Sequence, residues 1–173
     1  MPPPSATPDS SRVLFDFGPN GSRWSVVNDG VMGGRSQGYV DVEDGTLRFT
    51  GTIVTQGGGF TSVRTRLLAN LSAYDGVELR VRGGGRTFEV EVDDGSRFRG
   101  RPLSRRAPFP TTDDWQVVRV PFSELATSVF GQPVRAEALD PSRVRSVGLY
   151  ILDGQDGPFE MEVDWIQAYR EDE

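Results

Sequence analysis

Residues 77–93 read Val77-Glu78-Leu79-Arg80-Val81-Arg82-Gly83-Gly84-Gly85-Arg86-Thr87-Phe88-Glu89-Val90-Glu91-Val92-Asp93. In the first six the odd positions are apolar and the even ones charged; in the last six the even positions are apolar. An extended chain sends successive side chains to opposite sides, so this alternation describes two strands, each buried on one face only. The glycines between them predict a turn, and the two strands are expected to form an antiparallel hairpin. Glu78, Arg80 and Arg82 would then oppose Glu89 and Glu91, each pair worth roughly a few tenths of a kcal/mol.

The same pattern extends in both directions. Strand candidates precede this segment at 12–17, 24–28, 38–42, 46–52 and 60–67, and follow it at 115–120, 144–152 and 159–169. Glu43-Asp44-Gly45 is a hairpin turn signal between two of them. In the last candidate Phe159, Met161, Val163 and Trp165 alternate with Glu160, Glu162 and Asp164. Pro121-Phe122-Ser123-Glu124-Leu125 starts a short helical turn, and Asp140-Pro141-Ser142 begins another. The segment 96–106 carries five arginines and reads as a mobile loop or edge strand, either a solvated loop or a place for an anionic partner. No amphipathic helix of 10–15 residues separates the strands, which argues against an α/β fold. About ten or eleven short strands with one brief helix predict an all-β, antiparallel β-sandwich of the jelly-roll kind. The 21 glycines and 12 prolines suit many turns, and 36% hydrophobic residues suffice because they alternate. With 173 residues the expectation is one sandwich domain over 12–170, a Pro/Ser-rich disordered lead over 1–11 and an acidic tail over 171–173.

What the chain lacks narrows its chemistry. It has no His and no Cys, and all 19 basic residues are Arg. Ser–His and Cys–His nucleophiles, lysine Schiff bases, P-loop lysines and His/Cys zinc sites are therefore excluded. Carboxylate pairs and hard-metal chemistry remain. A net charge of −6 and a pI near 4.8 disfavour a duplex nucleic-acid partner. There is no membrane-spanning apolar run and no leader with basic and apolar regions, so no membrane insertion is expected, and a cytoplasmic, bacterial address is the default.

Two stretches stand out as candidate sites. In Trp24-Ser25-Val26-Val27-Asn28-Asp29-Gly30-Val31-Met32-Gly33-Gly34-Arg35-Ser36, paired glycines permit positive φ and close approach of another surface. This is either a tight turn that tucks Met32 into the core or part of a recognition surface. In Gly57-Gly58-Gly59-Phe60-Thr61-Ser62-Val63-Arg64-Thr65-Arg66, alternation places Phe60, Ser62, Arg64 and Arg66 on one face and Thr61, Val63, Thr65 and Leu67 on the other. The first set is a polar recognition surface, or else Arg64 pairs with a carboxylate and pins a loop.

These two runs, Trp24 to Ser36 and Gly58-Gly59-Phe60-Thr61-Ser62-Val63-Arg64, resemble the signature of the complex I intermediate-associated protein 30 family. The likeness continues through Tyr74 to Gly83, Trp115 to Ser123, Val147-Gly148-Leu149 and Gly157 to Ile166, and covers roughly residues 13–170. Two positions depart from the family pattern: Gly84 stands where Asp is expected, and Gly57 where Asn is more usual. The resemblance implies a galactose-binding-like jelly roll, related in fold to family 11 carbohydrate-binding modules. It also implies a non-catalytic assembly factor that holds protein partners of respiratory complex I. Onto this chain it carries Asn28, Asp29, Met32, Gly33, Gly34, Ser36, Phe60, Ser62 and Arg64 as the candidate ligand- or partner-binding surface, with no catalytic residue and no cofactor. The alternative is a carbohydrate-binding module using Trp24, Tyr39, Trp115 or Tyr150 as stacking platforms. A third reading is a carboxylate glycosidase built on Glu89 with Glu91, or Asp93 with Asp94, although residues two apart on one strand read as a solvated face. Asp153-Gly154-Gln155-Asp156-Gly157 is faintly calcium-loop-like and reads as a turn. By analogy with the fold, Asp16 or Asp164 would serve a structural calcium.

Overall fold

The structure, a computed structural model, describes residues 11–19, 21 and 23–171, and of Val31 and Met32 the backbone only. The lead over 1–10 and the last two residues of the acidic tail lie outside the described residues. Ser11, read with the lead, opens the first strand.

In chain order the strands are β1 (Ser11–Phe15), β2 (Ser25–Asn28), β3 (Gln37–Glu43), β4 (Thr46–Ile53) and β5 (Thr61–Ala69). The middle of the chain forms β6 (Gly76–Arg82), β7 (Thr87–Asp93), β8 (Arg97–Phe98), β9 (Arg101–Pro102) and β10 (Ser104–Pro110). The last third forms β11 (Gln116–Pro121), β12 (Ala126–Val129), β13 (Gln132–Pro133), β14 (Val144–Ile151) and β15 (Gly157–Tyr169). One-turn 3-10 helices cover Asp29–Met32, Phe122–Glu124 and Pro141–Arg143. The last two sit where the sequence predicts helical turns; Asp140 caps the third by accepting from Ser142 N at 3.0 Å.

Two antiparallel sheets face each other. The first has the order β11-β6-β15-β4-β3, with β1 added on β15; the second runs β13-β12-β10-β7-β14-β5-β2. The arrangement is the expected all-β jelly roll. Alternation orients the strands as read: Val77, Leu79 and Val81 of the first sheet and Phe88, Val90 and Val92 of the second are fully buried. The centre is a cluster of rings crossing between sheets. Phe49 meets Phe159 edge-on at 4.9 Å, and Phe88 reaches Phe159 at 6.1 Å and Phe109 at 6.3 Å. At the predicted hairpin turn, Asp44 and Gly45 both have positive φ (54° and 77°) and β3 pairs with β4 in register Glu43 to Thr46. This is the conformation a two-residue hairpin loop requires.

The hairpin expected between 77–82 and 88–93 does not form: β6 belongs to the first sheet and β7 to the second. Gly83-Gly84-Gly85 carries the chain across the edge of the sandwich. Gly83 N and Gly84 N donate to Thr112 O at 3.0 and 3.1 Å, and a Cβ on Gly83 would lie 2.5 Å from Thr111 Oγ1. The cross-strand pairs expected of the hairpin are therefore replaced. Glu78 accepts from Arg119 at 2.8 Å, Arg80 reaches Asp164 at 2.8 Å and Arg82 reaches Glu162 at 3.0 Å, all on the outer face of the first sheet.

Two further expectations are corrected. The arginine-rich segment is not a mobile loop: β8 and β9 form a small hairpin, and β10 is an interior strand between β7 and β12. Arg105 and Asp94 are 3% and 2% exposed and form an ion pair at 3.7 Å. In β15 the alternation breaks after Val163, where a register shift lets Ile166 and Ala168 take the inward positions instead of Trp165.

Candidate functional site

The first signature run closes on a buried carboxylate. Asp29 is fully buried at the start of the first 3-10 turn. Its Oδ1 accepts from Ser36 N at 2.9 Å; its Oδ2 accepts from Gly59 N at 2.6 Å and from Phe60 N at 3.2 Å. Burial pushes this carboxyl up, yet the donors from Gly59, Ser36 and Phe60 outweigh it and hold the group below the ordinary 3.8. The glycines of both runs make room for it. A Cβ on Gly34 would run into the Asp29 carboxylate, and one on Gly58 would lie 2.5 Å from Oδ2. Gly33 ends the turn at φ 87°.

Asn28 and Ser36 extend the network. Asn28 Oδ1 accepts from Gly38 N at 3.0 Å and Thr61 Oγ1 at 2.6 Å. Ser36 Oγ accepts from Val54 N at 2.9 Å. Asn28, Asp29, Gly33, Gly34 and Ser36 thus fasten the β2–β3 connection to the loop before β5. The side chain of Met32 lies outside the described residues. Gly57 and Gly84, the two departures from the family pattern, have φ of 80° and 67°. Glycine adopts this left-handed region as readily as the Asn or Asp it replaces.

The hydrogen bond to Phe60 N links this network to a second group of side chains. Phe60, Ser62 and Arg64 lie on the outer face of the second sheet, as alternation predicts, while Val63 is buried in the core. Register brings two rows of that sheet together. One reads Val27, Ser62, Tyr150, Glu89, Pro108; the next reads Ser25, Arg64, Gly148, Glu91, Arg106, Ala126. Although this face points away from the core, Ser62, Glu91 and Tyr150 are 0%, 7% and 8% exposed. These outward-facing groups are therefore sunk among their neighbours, a recess in which Arg64 and Tyr150 pack beside Gly148.

Arg64 donates to Tyr150 Oη at 2.8 Å, and its buried Nε has no partner. It makes no ion pair among the described residues. The Arg106 guanidinium lies 4.5 Å from the Tyr150 ring centre and 3.9 Å from Glu89. Ser104 Oγ donates to Glu91 at 2.6 Å, and Phe60 lies 6.4 Å from Tyr150 ring to ring. Burial, with the Glu91 charge behind it, pushes the Tyr150 phenol up to about 12 against the pull of Arg64 and Arg106. It stays protonated at any physiological pH. Burial likewise raises Glu89, with Arg106 opposing.

Sequence reading singled out Phe60, Ser62, Arg64 and Tyr150, and missed Glu89, Glu91, Ser104 and Arg106 as members of this recess. The carboxylates of β7 are not a solvated face. The signal for them was the strict alternation of 88–93, which fixes their side but not what lies beside them. As chemistry, the recess offers a phenol, two guanidiniums, two carboxylates and a ring edge. Glu89 and Glu91 leave one strand in the same direction and are engaged by Arg106 and Ser104. They do not face each other across a substrate, as paired glycosidase carboxylates about 5 Å or more apart do. Asp94 is turned inward to Arg105, while Asp93 accepts from Gly95 N at 3.1 Å.

The other platforms lie elsewhere. Trp24 packs against Phe15 at 5.2 Å inside the sandwich. Trp115 lies between Arg80 and Arg82 at 4.7 and 4.8 Å on the outer face of the first sheet, and Tyr39 is exposed on β3. The calcium-loop-like segment is tied by protein donors: Arg86 grips Asp153 at 2.6 and 2.7 Å, and Thr55 N donates to Asp156 at 2.7 Å. Asp164 is paired with Arg80, and Asp16 accepts from Gly18 N. Among the described residues no group of three or more acidic side chains is placed to hold a metal ion. No helix among them is long and apolar enough to cross a membrane.

Two facing antiparallel sheets in this order give the chain the jelly-roll fold seen in carbohydrate-binding modules. The chain superposes on a family 11 carbohydrate-binding module from Clostridium thermocellum in complex with a β-1,3-1,4-mixed-linked tetrasaccharide with a TM-score of 0.67, 15% identity and coverage of 92% and 95% of the two chains. A family 30 carbohydrate-binding module gives a TM-score of 0.63, 22% identity and coverage of 93% and 99%. At these identities the likeness is one of fold.

The chain belongs to the complex I intermediate-associated protein 30 family, whose sequence profile matches residues 14–163. Complex I intermediate-associated protein 30, mitochondrial, from Mus musculus is 25% identical over 190 residues, covering 93% of this chain and 57% of the relative. The probable Caenorhabditis briggsae counterpart is 23% identical over 185 residues, covering 91% and 53%. The chain spans about half the length of the curated relatives it matches.

Proposed function

We propose that this chain is a non-catalytic binding module that takes part in assembling a respiratory membrane complex, and that a protein partner docks in the recess formed by Phe60, Ser62, Arg64, Tyr150, Glu89, Glu91 and Arg106. Family membership supports the assembly role, since the relatives' names tie them to complex I intermediates. The observation that carries the choice of surface is Arg64. A half-buried guanidinium with a single phenol as hydrogen-bond partner and a buried, unpartnered Nε is incompletely satisfied. An acceptor group from a partner completes it. Asp29 fixes the backbone at Phe60, Asn28, Gly33, Gly34 and Ser36 hold the connection that carries Asp29, and Met32 belongs to the same turn.

The test is affinity capture from native lysate with wild type and Arg64→Ala, proteins being identified by mass spectrometry. Wild type is expected to enrich respiratory-complex subunits, and Arg64→Ala to lose at least about tenfold of that capture, as for an interface anchor. The melting curve of the variant stays cooperative. If it does not, Arg64 is structural and the assignment of the surface fails.

One observation favours a second reading, carbohydrate binding. The partly exposed Phe60 ring lies beside hydrogen-bonding Arg64 and 6.4 Å from Tyr150, a combination of one stacking ring and forked polar contacts that suits a sugar ring. Calorimetric titration with a mixed-linkage β-glucan separates the two. Heat that saturates in wild type and vanishes in Tyr150→Ala, with no respiratory subunits captured, would replace the protein partner by a glycan.

A further inference from the structure

From Gly95 to Thr112 the chain holds five arginines and no acidic residue, and from Leu125 to Ala136 one arginine and no acidic residue, in a protein of net charge −6. The fold brings the tips of these segments together. The β8–β9 hairpin turns at Arg99-Gly100 and the β12–β13 hairpin at Phe130-Gly131, and the Arg101 guanidinium lies 5.5 Å from the Phe130 ring centre. Arg97, Arg99, Arg101 and Arg135 are exposed, and none is in an ion pair among the described residues. Phe130 is 76% exposed, more than any other large hydrophobic side chain described.

Both tips carry a bulky residue in an unfavourable conformation. Arg99 and Phe130 have φ of 51° and 48°, each followed by a glycine near 79°. Such turns favour Asn, Asp or Gly at the first position, so Arg and Phe work against local stability there. A strained, exposed aromatic with an unpaired cation over its ring is accounted for by something that covers it.

We propose that these two tips are a docking site for the surface of a bilayer containing anionic phospholipid. Phe130 enters the headgroup layer, and Arg97, Arg99, Arg101 and Arg135 contact lipid phosphates. The shape selects this partner. Phe130 projects from the end of a two-residue turn, and such a tip needs a surface that yields around it. An acidic protein face would have to supply a preformed pocket. The cations match the surface charge of the bilayer, and none of these five residues belongs to the recess of the second sheet, so the proposal does not rest on the function proposed above.

The test is co-sedimentation of the full chain with phosphatidylcholine vesicles, with and without phosphatidylglycerol, at low and high salt. Wild type is expected to sediment only with the anionic vesicles and to be released as salt rises. At about 1 kcal/mol per arginine, or roughly fivefold each, the triple variant Arg97→Ala, Arg99→Ala, Arg101→Ala binds roughly a hundredfold more weakly. Phe130→Asn suits the turn and melts at the same or a higher temperature, yet loses about tenfold in vesicle binding. Failure of wild type to sediment with anionic vesicles overturns the proposal, as does wild-type binding by either variant. Retention on immobilised poly-glutamate without vesicle binding would assign the patch to an acidic polypeptide instead.

Discussion

Asp29→Ala is expected to destabilise the protein by about 4 kcal/mol and to lower its melting temperature by roughly 10 °C, the largest effect of any single polar substitution in the signature runs. The substitution strands the N–H groups of Ser36, Gly59 and Phe60, which the carboxylate now satisfies inside the sandwich. Each stranded donor costs roughly 1–3 kcal/mol, and partial relaxation of the glycine loops returns some of it. It also leaves a gap between Gly34 and Gly58, which face the carboxylate directly. Asn at this position keeps one acceptor and is expected to lose about half as much. A circular-dichroism melt of the three proteins checks the order.

The same group predicts an acid dependence. The folded Asp29 carboxyl sits below its unfolded value of 3.8, so the folded state binds its proton less readily than the unfolded state does. Its contribution is fully present above that value and is lost as pH falls through the depressed folded value. Stability should therefore decline in that acid range, and the decline should be shallower in Asp29→Asn. An equally steep decline in the variant would mean that other carboxylates, such as Asp94 and Asp153, whose values are also lowered, set the acid limit.

Arg105→Met is expected to cost about 3 kcal/mol, measured by urea unfolding. Arg105 donates to Glu137 O at 2.7 Å and Thr127 Oγ1 at 3.2 Å and pairs with Asp94, all in a site where both ionic partners are almost wholly buried. Removing the cation leaves Asp94 buried with the N–H groups of Ser96 and Asp140 and the Ser96 hydroxyl to hold it. Breaking one side of a buried pair costs roughly 3–5 kcal/mol, whereas removing both charges costs less. Arg105→Met combined with Asp94→Asn should thus be less destabilised than the sum of the single changes. A solvated-loop arginine, as sequence reading has it, would change stability by less than about 0.5 kcal/mol.

Arg105 also shows where sequence reading stops. Its segment is rich in arginine and proline, and composition alone points to a loop. Only the pairing of β10 between β7 and β12 places alternate residues of that segment, Arg105, Ala107 and Phe109, against the core. The glycines of the two signature runs were legible as positions of special backbone or close approach, but not what approached them. Asp29 meets Gly59 and Phe60 across 30 and 31 residues of chain. In the recess, Arg64 finds Tyr150 across 86 residues, and Glu91 and Arg106 arrive through two further strand pairings.

What the sequence by itself determined is the side each strand turns to the core, because alternation is a property of neighbouring residues and needs no partner. Phe60, Ser62 and Arg64 were placed on one face in this way, as were Val77, Leu79 and Val81. The tertiary structure decided which strand lies beside which. An alternating strand buries its apolar side equally well next to its successor or opposite it in the facing sheet. The glycines after β6 take the second course because they pack against Thr111 and Thr112, contacts that exist only once the sandwich has closed.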